Sequence, residues 1–156
     1  MIKHFLHDKI GKPVLNLLKQ GISPEKLSLT MASGAVIGIF PVLGSTTLIC
    51  TGIAIVFRLN LPAIQLSNYL VYPLQIFLLI PFISLGASIF QVEPPTLSVQ
   101  ELNALFQTNF WGTIGSFFDA ILRAVIAWFL LSAALFPALF FAFVPIFRKF
   151  KFARAN

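Results

Sequence analysis

Charge is what this chain of 156 residues has least of: only 10% of it is Asp, Glu, Lys or Arg, against about 25% in an ordinary soluble domain. With 58% apolar residues and a mean hydropathy of +0.90, such a chain belongs in a bilayer. Cysteine is nearly absent too. A single one, Cys50, excludes an internal disulfide, and in an apolar run it reads as a small packing residue. His4 and His7 stand three apart with no third ligand, so no metal site is expected. Paired carboxylates, a His/Cys/Asp cluster and a nucleophile beside an evident base are all missing, which argues against an enzyme. No Walker motif or other cofactor signature is present, so no cofactor is expected. No signal peptide is evident, because the stretch before the first apolar run is too long and irregular for one. The net charge of +6 does not point to nucleic acid, since the basic residues sit at the two ends and the phenylalanines lie in apolar runs. Anionic lipid headgroups are the expected partner.

What is present is organised around the charge-free run from Leu27 to Phe57. As one helix it would reach about 46 Å at about 1.5 Å per residue, well beyond a hydrocarbon core of about 30 Å. Its centre, Phe40 to Thr47, lacks one amide at Pro41, has a flexible Gly44 and then offers Ser45, Thr46 and Thr47. That is the chemistry of one helix stopping and another starting. The reading is two half-length helices, roughly 29 to 40 and 45 to 57, meeting at a turn inside the membrane. The alternatives are one tilted helix kinked at Pro41, or a buried soluble helical core. A turn at membrane depth has to be covered by protein or line a polar cavity. Gly34 and Gly38, with Ala35, allow another helix to come close.

Before this run, residues 1 to 28 carry five lysines against Asp8 and Glu25. Pro13 to Gly21 reads as an interfacial amphipathic helix. Ser23 followed by Pro24 reads as a capped helix start that runs on into the first half-helix. After the run, Pro62 suits another start, and 62 to 90 is long enough for a span that Pro73 and Pro81 disturb. Pro73 would free the carbonyl of Tyr69 for Asn68 or a water, although this run can also be read as a second hairpin. Ser98 and Glu101 form a capping box for a short helix. Phe110 to Phe118 suits an interfacial helix or a shallow insertion, Asp119 and Arg123 are spaced to pair, and Ala124 to Phe147 is a span. Lysines at the start and Arg148, Lys149, Lys151 and Arg154 at the end place both termini in the cytoplasm, with the Glu93 to Glu101 loop outside.

The expected fold is therefore an all-α integral membrane protein, a broken re-entrant hairpin with two or more transmembrane helices. Its parts are a cytoplasmic interfacial segment (1–28), a helical membrane domain (29–147, re-entrant over 29–57) and a basic cytoplasmic tail (148–156). So small a subunit has too few elements to surround a polar break, which predicts a homo-oligomer.

Gly44 to Thr47 is the one segment built to meet a ligand. Amides and hydroxyls at the start of a half-helix suit an anion, and the bland alternative is ordinary capping of a kinked helix. Arg58 and Arg123 are the basic residues nearest membrane depth and the candidates for countercharge, the alternatives being an interfacial anchor and the pair with Asp119. Pro41, Gly44, Ser45, Thr46, Thr47, Arg58, Asn68 and Arg123 make up the candidate site.

Ala32-Ser33-Gly34, Ile37-Gly38, Phe40-Pro41, Gly44 and Thr47, followed by Arg58 and Asn60, form a series that resembles the bacterial membrane family known as domain of unknown function 2062. At the family's Asn-Pro this chain departs, having Asn68-Tyr69 with Pro73 four residues on. The resemblance covers roughly 10 to 90 and implies a bacterial inner-membrane location without a known activity. Some relatives look to be joined to envelope-biosynthesis domains. The expected function is a small transporter or translocase for an anionic solute, lipid or lipid-linked intermediate. The alternative is a non-catalytic scaffold or accessory protein for envelope lipid or polysaccharide biosynthesis, which would give it an envelope-biosynthesis protein as partner.

Overall fold

The structure is a computed structural model that describes residues 22–95, 104 and 107–152. The interfacial helix expected at 13 to 21, the two histidines, the Ser98 to Glu101 capping box and the last four residues lie outside the described residues. Within them the chain forms four helices, α1 (Pro24–Gly38), α2 (Thr46–Val56), α3 (Leu61–Ile89) and α4 (Phe110–Phe152). No strand occurs among the described residues.

Each start has a local cause. Ser23 accepts a hydrogen bond from the Lys26 amide at 3.2 Å, with Pro24 in the first position and Glu25 in the first turn, all favourable at the positive end of a helix. Asn60 does the same for α3, accepting from the Ala63 amide at 2.9 Å. α1 thus starts five residues earlier than the half-helix expected at 29, and α2 is the second half-helix nearly as expected.

Two expectations need correction. The run after Arg58 is one helix of 29 residues with Pro73 and Pro81 inside it, which removes the second hairpin. Both prolines lie on the exposed side, where a missing amide and a displaced carbonyl disturb no packing. Phe110 to Phe118 is no separate element either, because it forms the first turns of the 43-residue α4.

Packing brings α1 alongside α3 in the same direction. A Cβ on Gly34 would meet the Ile64 carbonyl oxygen and lie 2.7 Å from Ser67 Cβ. One on Gly38 would meet a Val71 methyl and lie 3.1 Å from the Asn68 carbonyl oxygen. The Ser67 hydroxyl donates to the Met31 carbonyl at 2.7 Å in the same seam. The close helix approach expected of these glycines is therefore made within the chain. Leu27, Met31, Ala63 and Phe147 form the core at one end, where Arg148 binds Glu25 at 2.8 Å. α1 and α3 begin where α4 ends. α2 doubles back toward that end, with Cys50 and Ala54 against Ile37 and Ile64. Farther along α3, Ile39, Phe82 and Ala124 form the other core, and Gly86 lets the α4 backbone approach at Arg123.

The distribution of polarity is inverted. Ser28, Thr30, Ser67, Asn68 and Gln75 are buried, while Phe77 (77% exposed), Trp111 (79%) and Leu48 (75%) face outward. Two helices, α3 and the Trp111–Lys149 part of α4, are long and apolar enough to cross a membrane. α1 and α2, at about 22 and 16 Å, are not.

Candidate functional site

α1 stops because Pro41 offers no amide to continue it, and the Phe40 amide turns back to the Ile37 carbonyl at 2.9 Å. Val42 to Ser45 is a tight turn closed by the Ser45 amide on the Val42 carbonyl at 3.4 Å. Gly44, third in that turn, has φ +82, the value a type II turn requires there. A Cβ on Gly44 would touch nothing, so conformation and not space calls for glycine.

Two of the carbonyls released by the break, those of Phe40 and Val36, are met by side chains of α3 and α4. Gln75 Nε2 donates to the Phe40 carbonyl at 2.7 Å, and Trp128 Nε1 to that of Val36 at 3.0 Å. The Trp128 ring also packs edge-to-face on Phe40, with centroids 4.8 Å apart. Gln65 Nε2 reaches the Thr47 carbonyl and the Thr51 hydroxyl, both at 3.0 Å. Asn68 Nδ2 donates in turn to Gln65 Oε1 at 3.3 Å. Backbone groups left bare at a break cost several kcal/mol in lipid, and protein covers these two.

The start of α2 is different. Ser45 occupies the capping position, yet its backbone is helical rather than extended, and its hydroxyl donates to the Val42 carbonyl at 2.8 Å instead of accepting from the helix. The first-turn amides of Thr46, Thr47 and Leu48 and the hydroxyls of Thr46 and Thr47 have no partner among the described residues. Thr46 is buried and Thr47 half-buried. Among the described residues, three buried side-chain atoms have no partner: Asn68 Oδ1, Gln75 Oε1 and Ser132 Oγ.

Of the candidate residues, Pro41, Gly44, Ser45, Thr46 and Thr47 make up the break, and Asn68 joins them through Gln65. The two arginines stand elsewhere. Arg58 closes the far end of α2, about 17 Å along the helix from Thr47. It has φ 52 and holds a C-terminal cap in which the Leu59 amide binds the Ala54 carbonyl at 2.8 Å and its own binds Ile55 at 3.3 Å. Arg123 sits 4.0 Å from Asp119, beside Gly86, eleven residues beyond Gln75 on α3. Sequence reasoning missed Gln65, Gln75 and Trp128. A signal existed for the first two: with Asn68 they are the carboxamides of an otherwise apolar helix, spaced three and seven apart on one face. Trp128 had none, since an indole in an apolar run reads as packing.

No curated protein and no solved structure matches the chain. One family model does, over residues 8–156, which takes in the break, α3 and α4 together. The chain belongs to the family described as an uncharacterized protein conserved in bacteria, DUF2062.

Proposed function

We propose that this is a small integral membrane carrier that receives an anionic group, most simply the phosphate of a lipid or lipid-linked intermediate, at the uncapped start of α2. In this reading α3 and α4 span the bacterial inner membrane, and α1 and α2 form a re-entrant hairpin that enters to its middle and returns. The depth is supported by Gln75, which holds the Phe40 carbonyl and is the central residue of α3, with fourteen residues on either side. The observation that carries the reading is the free first turn of α2. Three unpartnered amides and two hydroxyls converge at the positive end of a helix dipole, the arrangement that binds anions at broken transporter helices. Neither Arg58 nor Arg123 takes part, so binding is weak, as a carrier that must release its cargo requires. Self-association belongs to the same reading, because two full-length spans are too few to enclose a path around the break. A scaffold that docked a partner helix at Gly34 and Gly38 would need those positions open, and α3 fills both.

The test is the double variant Thr46→Val/Thr47→Val in proteoliposomes. Valine keeps the shape and removes two hydroxyl donors, each worth about 1.5–3 kcal/mol to a charged acceptor. Phosphate-lipid binding and transbilayer movement should each fall at least about tenfold while the unfolding temperature holds. Unchanged binding and movement in a folded double variant would reject the carrier.

A further inference from the structure

The free atoms on the α1 side of the break are of the opposite kind to those on α2. Gln75 and Asn68 each spend their amide nitrogen on an oxygen, the Phe40 carbonyl at 2.7 Å and Gln65 Oε1 at 3.3 Å. Gln65 is oriented in turn by donating to the Thr47 carbonyl. A reversed carboxamide at any of the three would set oxygen against oxygen, so the network fixes each one. The atoms left over, Asn68 Oδ1 and Gln75 Oε1, are therefore acceptors with no donor. Their residues are 1% and 0% exposed. Asn68 Oδ1 lies 3.1 Å from where a Cβ on Gly38 would stand, and Gln75 is tied to Phe40. Both oxygens thus flank the last residues of α1. The Gly38 and Ile39 carbonyls there accept no hydrogen bond among the described residues, and the helix dipole is negative.

We infer that the C-terminal end of α1, with Asn68 Oδ1 and Gln75 Oε1, forms a site for a monovalent alkali cation. Size and charge select the ligand. Oxygens this deeply buried admit nothing larger than a bare ion or a water, which excludes a lipid amine. All the oxygens are neutral, and among the described residues no cluster of His, Cys, Asp or Glu suited to a metal exists. A divalent ion draws on carboxylates that this end of the break lacks, whereas neutral carbonyl oxygens are what replace the hydration shell of alkali ions in membrane proteins. The site uses different atoms from those that carry the anion reading, at the other end of the break. A cation there would also supply the positive charge that neither arginine brings to the start of α2.

The experiment is thermal unfolding of the purified full chain in nanodiscs, in sodium, potassium or choline chloride at equal concentration. Sodium or potassium should raise the midpoint saturably by about 5 °C over choline, and the more effective ion is the ligand. Asn68→Asp, which places a carboxylate oxygen at the same point and loses the bond to Gln65, should lower the midpoint in choline but cut the half-saturating ion concentration at least tenfold. Asn68→Leu should abolish the ion-specific shift, and if that variant does not fold, Asn68→Asp decides alone. Equal midpoints in all three salts, for the wild type and for Asn68→Asp, would mean that only a water meets these oxygens and would overturn the inference. The two readings fail separately. Loss of ion specificity with Thr46/Thr47-dependent lipid binding intact sinks the cation site alone, and ion specificity without phosphate-lipid binding sinks the carrier alone.

Discussion

Arg58 and Gln91 hold the same unusual place. Each follows the C-cap residue of a helix with φ near +50 (52 and 53), and in each case the next amide reaches five residues back, Leu59 to Ala54 at 2.8 Å and Val92 to Ala87 at 3.0 Å. Glycine is the usual occupant of that position, because a Cβ there costs about 1 kcal/mol. Arg58→Gly should raise stability by about 0.5–1 kcal/mol in chemical denaturation while leaving phosphate-lipid binding alone. Lost binding in the stabilised variant would return Arg58 to the anion site. The sequence concealed this role, since Phe57-Arg58-Leu59 contains no glycine to announce a cap, and an arginine beside an apolar run reads as an anchor. Gly44 was legible for the converse reason. A glycine between a proline and a row of hydroxyls has few uses besides a turn, and its φ of +82 is the one it supplies.

Between elements, the break persists because its neighbours complete it. Gln75→Leu keeps the bulk of the side chain but orphans the part-buried Phe40 carbonyl, which should cost about 1–3 kcal/mol. Trp128→Phe keeps an aromatic ring near Phe40 and orphans the Val36 carbonyl, with a cost of similar size. Full stability in both variants would mean that water satisfies these carbonyls and that the break is not held by α3 and α4. Gly38→Leu should reduce folded yield at every protein concentration, because the side chain it would strike, Val71, belongs to the same chain. A defect relieved by concentrating the protein would indicate an interface between subunits instead. The broken helix was readable from Pro41 onward because proline and glycine act on their own backbone. The continuity of α3 was not. Two prolines in an apolar run suit a hairpin and a helix equally, and what decides is that both rings point away from the core. The start of α4 was hidden similarly, in an aromatic and glycine-bearing stretch of low helix propensity that joins a long helix behind it.

For the molecule as a whole, one ion pair ties the start of α1 to the end of α4. Glu25 at the start of α1 binds Arg148 near the end of α4 with Nη2 at 2.8 Å and Nε at 2.9 Å, so those two helix ends meet at one end of the fold. This half-exposed pair contributes at most about 1 kcal/mol. The contact depends on α1 and α4 being neighbours, which no local pattern encodes. The two topologies for 24 to 57 differ in one respect that can be measured. If α1 and α2 descend and return, Lys26, Arg58 and Lys149 share a side and Glu93 faces the other; if they make one kinked span, Lys26 and Arg58 are separated by the membrane. Single cysteines at these four positions, probed in intact cells with a membrane-impermeant maleimide, separate the cases. The native Cys50 is fully buried and reports nothing while the protein is folded, and Cys50→Ala removes even that background. The expected pattern is labelling at 93 from outside, with 26, 58 and 149 labelled only after the cells are opened. Labelling of 26 and 58 from opposite sides would end the re-entrant reading, and with it the mid-membrane site at the start of α2.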